Sequence, residues 1–102
     1  MLCNVNNIKP LLQTHKYAYQ WSKNSRKRIN DQDLEQIEID KNEGYEVAYF
    51  VALFMNKHHL NKVGHVYIIE DTLQKEELIS IKNTNRLVKK VEKILGLESI
   101  EL

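Results

Sequence analysis

The chain has 102 residues, a formal net charge of +1 at neutral pH and one cysteine, Cys3. This length suits one domain with a modest core, and the near-neutral charge gives no strong overall field toward nucleic acid or a membrane. A single cysteine excludes an intramolecular disulfide and any metal site built on several thiolates, and it suits a reducing cytosol. We therefore predict one helical domain over residues 1–102, located in the cytoplasm. The abundance of Lys, Asn and Ile is typical of an AT-rich bacterial or phage genome.

The first predicted element is a helix from about Asn7 to Ser22. Apolar and aromatic side chains recur at helical spacing along it. Pro10 falls in the first turn, where its missing N–H is not needed. Because an indole buries a large area, we expect Trp21 to anchor this helix against the centre of the domain.

A basic connector follows the first predicted helix, and it is the densest cluster of positive charge in the chain. Two interpretations stay open: a solvated turn whose cations complement the end of a helix, or a patch that contacts phosphates. The next segment, 31–40, is predicted as a short helix, although its alternating IEI pattern also fits a short strand. The basic residues of the connector are Lys23, Arg26, Lys27 and Arg28.

The central run from Tyr45 to Met55 contains only one charged residue, Glu46. Its length favours a helix over a strand, and Asn42 and Lys57 flank it as a helix N-terminus and C-terminus prefer. It is too short to span a membrane. We therefore predict a mostly α fold, a bundle of about four to five helices around this central helix.

A helix that is apolar on nearly every side must be covered on nearly every side. A chain this small is expected to leave part of the central helix uncovered, and exposed aromatic and methionine side chains suit an interface. The predicted protein interface consists of Tyr45, Tyr49, Phe50, Phe54 and Met55.

Residues 61–82 allow two predictions. A helix would place Val66, Ile69 and Leu73 on one side, and we favour it because an isolated hairpin is marginally stable. The β-branched residues also permit an α+β alternative with a β-hairpin in 65–81.

The last predicted helix begins at Asn83 or Thr84 and ends at Gly96, which suits a helix C-terminus. Its apolar residues follow a helical stripe. Its outer face is basic and carries Arg86, Lys89, Lys90 and Lys93.

The segment NTNRLVKKVEKILGL within this helix resembles the recognition helix and exit turn of winged-helix repressors of the multiple-antibiotic-resistance regulator type. The resemblance covers about fifteen residues. It implies that Thr84, Asn85, Arg86 and Lys89 face DNA. The chain departs from the family pattern before this helix, where too few residues separate LQKEELISI from Thr84 for a supporting helix and a turn.

No pattern in the sequence predicts catalysis or metal binding. His58 and His59 are adjacent, so on a helix they point about 100° apart and do not share one ion easily. The three glycines form no phosphate-binding loop, and no serine lies in a nucleophile elbow. The acidic pair Glu70 and Asp71 is expected to be solvated. We predict no catalytic residue, no cofactor, no metal site and no small-molecule substrate.

The sequence therefore favours a small non-enzymatic regulatory protein that binds a protein partner or a second copy of itself. The alternative is a transcriptional regulator that binds nucleic acid through the basic connector and the basic last helix.

Overall fold

A computed structural model describes residues 4–22 and 38–97 of the chain. In these ranges the α-helices are α1 (Val5–Ile8), α2 (Gly44–Lys57), α3 (Val63–Leu73) and α4 (Thr84–Leu95), and two short 3₁₀ helices cover Lys9–Leu11 and Glu76–Leu78. The β-structure of these ranges consists of two isolated bridges. The mostly α prediction and the helix favoured within 61–82 are confirmed, and the hairpin alternative is wrong.

Helix α2 forms the centre of the core, as its apolar sequence predicts. Helices α1 and α3 and the first 3₁₀ helix pack against it, and α4 packs against α3. The side chains of Val47, Phe50, Val51 and Phe54 are fully buried. None of the helices in the described ranges is both long and apolar enough to cross a membrane.

The C-terminus of α2 is closed by a turn that uses a left-handed residue. His59 has a φ of 54°. The N–H of Leu60 donates to the carbonyl of Met55 at 2.8 Å, and the N–H of His59 donates to that of Asn56 at 3.4 Å. This is the Schellman arrangement, with histidine at the position that glycine usually occupies.

Helix α4 begins and ends where its sequence predicts. The side chain of Asn83 accepts a hydrogen bond from the N–H of Arg86, and Gly96 ends the helix with a φ of 71°. Leu87, Val88 and Val91 are buried against the rest of the core. The capping residues therefore set the two ends of α4, and the apolar stripe sets the face that is buried.

The helix predicted from Asn7 to Ser22 is wrong for most of its length. The helical part begins after Asn4, whose side chain accepts the N–H of Asn7 at 2.9 Å, and the 3₁₀ turn that follows ends at Leu11. Beyond it, Gln20 forms a bridge with Glu43 near the start of α2. The aromatic residues of YAYQW alternate, and this period of two is typical of extended chain.

Trp21 anchors the extended segment on α2, as predicted. Its ring lies over Gly44, and its centroid is 5.2 Å from that of Tyr45 in an edge-to-face contact. The ammonium of Lys9 lies 5.0 Å from the Trp21 ring and 4.9 Å from the Tyr45 ring. The indole therefore joins the N-terminal segment to the first turn of the central helix.

The short helix predicted over 31–40 lies mostly outside the described residues. Its last residues are described: Glu38 bridges Asn83, and the N–H of Ile39 donates to the carbonyl of Lys82 at 2.7 Å. This contact brings the chain before α2 beside the start of α4.

Candidate nucleic-acid interface

The outer face of α4 carries four exposed basic residues in one stripe, which we call the basic stripe. Its members follow the i, i+3, i+4, i+7 spacing that places side chains on the same side of a helix. At 1.5 Å per residue the stripe is roughly 10 Å long. The stripe consists of Arg86, Lys89, Lys90 and Lys93.

The one carboxylate of α4, Glu92, points away from the basic stripe. Its side chain is 8% exposed, and its Oε2 lies 2.6 Å from the Nζ of Lys57 and 2.7 Å from the Nε2 of His58. Burial by itself raises the pKa of Glu92, but hydrogen bonds and charge from these two partners outweigh it and hold the pKa below its ordinary value. The acidic residue of α4 is therefore used in packing α4 against the end of α2.

The basic stripe consequently has no acidic neighbour in the part of the chain that the structure describes. Within 4–22 and 38–97, no carboxylate lies within 4.0 Å of any of its four cationic groups. Four like charges on one exposed helix face make a local positive field that the near-neutral total does not reveal.

The connection before α4 differs from that of a helix-turn-helix. Helix α3 ends at Leu73 and α4 begins at Thr84, so residues 74–83, including the second 3₁₀ helix, separate them. A helix-turn-helix joins its two helices by a turn of about three to four residues. The structure therefore departs from the winged-helix repressor pattern in this connection, and it also departs at Thr84, which the resemblance places against DNA but which is fully buried. Asn85, Arg86 and Lys89 are exposed.

The other half of the predicted nucleic-acid contact lies outside the described residues. This half is the basic connector with Lys23, Arg26, Lys27 and Arg28, and the structure does not place it relative to the basic stripe.

The predicted protein interface is largely inside the core. Tyr49, Phe50, Phe54 and Met55 are buried by the chain itself, and Tyr45 is half-buried against Trp21. The premise that a chain of this size leaves these side chains uncovered therefore needs correction. Helices α1 and α3 and the first 3₁₀ helix supply most of the cover, and Trp21 lies against Tyr45.

Sequence reasoning missed a buried carboxylate cluster between the N-terminal segment and α3. Glu70 was expected to be solvated, yet it is fully buried. It accepts hydrogen bonds from the backbone and side-chain N–H groups of Gln13, at 3.0 Å each, and from the hydroxyl of Tyr19 at 2.6 Å. Burial and the bond to Glu70 raise the pKa of Tyr19 far above its ordinary value. The alternating aromatic pattern was the one available signal for this segment.

The neighbouring Asp71 completes the cluster at the surface. It accepts hydrogen bonds from Gln13, from Lys16 and from the hydroxyl of Tyr17, the last at 2.6 Å. Burial raises the pKa of Asp71, but these donors together keep it below its ordinary value. All of these partners are donors of the same chain, so the cluster holds residues 13–19 against α3.

The two adjacent histidines that follow α2 have separate environments. The His58 ring lies at a tilt against the Phe54 ring, with centroids 4.7 Å apart, and it contacts Glu92, whereas His59 forms the left-handed turn. Among the described residues, no group of three or more His, Cys, Asp or Glu side chains is arranged to hold a metal ion. Comparison of the chain with protein-family models, curated proteins and solved structures finds no significant match.

Proposed function

We propose that the protein is a cytoplasmic regulator that binds duplex DNA, with the basic stripe of α4 against the phosphate backbone. The observation that carries this proposal is the arrangement of charge on α4. Four exposed cations share one face, and the helix's acidic residue is buried on the other side.

The dimensions of α4 suit this role. An α-helix is about 10–12 Å in diameter with its side chains, and the major groove of B-DNA is about 12 Å wide. A stripe of roughly 10 Å covers about three nucleotides of one strand at 3.4 Å each. Asn85, exposed beside the stripe, has the amide group that pairs with adenine in many complexes.

If the basic stripe contacts phosphates, the affinity for DNA must fall with rising salt concentration by a predictable amount. Each phosphate contact releases counterions, so three or four contacts give a slope of roughly −2.7 to −3.6 in log affinity against log salt. Affinity should then fall about 100-fold between about 50 and 200 mM salt. Fluorescence anisotropy of a labelled duplex measures this slope directly.

A pair of charge reversals separates the stripe from net charge. Lys89→Glu changes the stripe, whereas Lys62→Glu makes the same charge change at an exposed position before α3. We expect Lys89→Glu to weaken binding at least about tenfold and to reduce the salt slope by about one. Lys62→Glu should leave both nearly unchanged. Absence of binding at low salt, or equal losses in the two variants, would refute the proposal.

A second candidate function, binding of a protein partner, is favoured by a different surface. Helix α3 exposes Val63, Tyr67 and Ile68 on its outer side, with Ile68 52% exposed. Beside them, nothing lies within 4 Å of the place where a side chain on Gly64 would begin. An exposed apolar ridge with room for close approach suits a contact with another protein.

Self-association is the form of this second function that is simplest to measure. Light scattering over a range of protein concentrations should show a rising mass for the unaltered chain. Ile68→Glu should abolish the rise, whereas Ile79→Glu should not, since Ile79 is even more exposed but lies outside α3. A constant monomer mass would remove self-association through α3.

A further inference from the structure

A cavity of about 510 Å³ lies between three segments: the residues before α2, the end of α3 and the loop before α4. Its volume is within the range of about 300–1,000 Å³ that small-molecule sites occupy. The cavity is separate from the basic stripe but adjoins the start of α4, because Lys82 precedes the capping residue Asn83. Its lining includes Lys41, Gln74, Lys75, Ile79 and Lys82.

The three lysines of the cavity come from three different segments of the chain. Lys75 and Lys82 are exposed, and Lys41 is half-buried. Within the residues whose structure is described, no carboxylate lies within 4.0 Å of their ammonium groups. The fold therefore gathers three lysine ammonium groups around one space, and none of them forms a salt bridge with a carboxylate of the described residues.

Lys41 is held in an unfavourable electrostatic position. Its ammonium donates to the backbone carbonyl of Leu78, and the side-chain amide of Gln74 donates to the carbonyl of Lys41 at 2.9 Å. Burial lowers the pKa of Lys41, and the charge of Lys82 lowers it further. An anion between the two lysines would replace lost solvation and reduce their repulsion.

Two carboxylates also line the cavity, at Glu38 and Asp40. Asp40 is engaged in its own loop, because its Oδ1 accepts the N–H of Asn42 at 2.9 Å. Three lysines and two carboxylates leave the cavity with an excess of one positive charge. The backbone N–H of Asp40 donates to the side chain of Glu46 at 3.0 Å. The loop that presents Lys41 is therefore fixed by hydrogen bonds at both ends.

We propose that this cavity binds a phosphomonoester about the size of a mononucleotide, with Lys41, Lys75 and Lys82 around the phosphate. Lysine is a common phosphate ligand because its ammonium offers three donors and a compact charge. The apolar side chain of Ile79, exposed at the cavity, provides a surface for the rest of the ligand. The phosphate has two sources: a free nucleotide, or the end of a DNA strand, and only the second source rests on the proposed function.

Amide NMR titration tests the site with the full chain. Inorganic phosphate and adenosine monophosphate should shift the resonances of Lys41, Gln74, Lys75 and Lys82 and saturate in the millimolar range or below. Adenosine, which lacks the phosphate, should not. Absence of saturable shifts with adenosine monophosphate, or equal shifts with adenosine, would overturn the proposal.

Exposed lysine variants keep the test independent of folding. Lys75→Gln and Lys82→Gln should each weaken binding of adenosine monophosphate about tenfold, as expected for loss of one charge-assisted contact. Lys62→Gln is the matched control and should change little. Equal losses in all three variants would indicate a general charge effect and overturn the site.

The source of the phosphate is resolved with DNA ends. A 5′-phosphorylated strand that binds at least about tenfold more tightly than its 5′-hydroxyl counterpart would support the strand end. Equal binding of the two strands, together with saturable binding of adenosine monophosphate, would support a free nucleotide. Lys89→Glu should leave nucleotide binding intact, so failure of the DNA-binding proposal would not be mistaken for failure of this one.

Discussion

Replacement of Gly44 by alanine should destabilise the protein, although alanine is the better helix residue. A Cβ built at Gly44 lies 2.5 Å from two carbons of the Trp21 ring and 2.6 Å from a third, whereas ordinary contacts are 3.4–4 Å. The ring must therefore move by about 1 Å to restore carbon–carbon contact distances. Movement is opposed by the edge-to-face contacts of Trp21 with Tyr45 and Tyr19 and by the ammonium of Lys9.

The magnitude follows from two opposing terms. Overpacking of this kind costs about 1–3 kcal/mol. Alanine in place of glycine returns roughly 0.5–1 kcal/mol through helix propensity and reduced freedom of the unfolded chain. We therefore expect Gly44→Ala to lower the free energy of unfolding by about 1 kcal/mol, within the span of roughly 0–2.5 kcal/mol that the two ranges give.

Gly64 supplies a matched control in the next helix. Nothing lies within 4 Å of a Cβ built there. Gly64→Ala should therefore show the favourable term alone and raise the free energy of unfolding by roughly 0.5–1 kcal/mol. Both variants are compared by urea denaturation followed by circular dichroism. Fluorescence reports the local change, because Trp21 is the only tryptophan of the chain.

A double variant isolates the proposed clash. In a Trp21→Leu background the ring is absent, so Gly44→Ala should no longer destabilise, and the two changes should be non-additive. The reasoning fails if Gly44→Ala stabilises the protein as Gly64→Ala does, or if its effect is the same with and without the indole.

Three further substitutions test the hydrogen-bonded carboxylates Glu92 and Glu70 and the left-handed turn after α2. Because the pKa of Glu92 is lowered in the folded protein, its carboxylate stabilises the fold fully above the ordinary pKa of 4.5, and this stabilisation is lost as the pH falls through the folded-state pKa. Glu92→Gln should reduce the fall in the urea midpoint at acid pH, and an unchanged plot of midpoint against pH would contradict this explanation. Glu70→Gln puts an amide donor among the buried donors of Glu70, including Tyr19, so it should cost about 1–3 kcal/mol, and a neutral result in urea denaturation would show that the site rearranges freely. His59→Gly relieves the left-handed backbone and should raise the thermal midpoint, with a stabilisation of roughly 0.5–1 kcal/mol, whereas a lower midpoint would mean that the imidazole has a role of its own.

The candidate sites differ in how far the sequence predicts them. The basic stripe is predictable because its four residues belong to one helix. The caps and the apolar face of that helix are signalled by residues close together in the sequence. The lysine cavity is not predictable in this way, because Lys41 and Lys82 are far apart in the chain and meet through tertiary contacts such as the backbone hydrogen bond of Ile39 with Lys82. The burial of Glu70 is equally non-local, since its donors belong to the N-terminal segment.

The sequence by itself determined the helices whose signals are local. The apolar run predicts α2, and the capped amphipathic pattern predicts α4 from Asn83 to Gly96. The tertiary structure decided which side chains of these helices are buried and which are exposed. It buried Phe50 and Phe54 with the chain's own segments and turned Glu92 inward to Lys57 and His58 at the end of α2. The physical reason is that helix formation depends on neighbours within a few residues, whereas burial and ion pairing depend on segments that approach only when the core assembles.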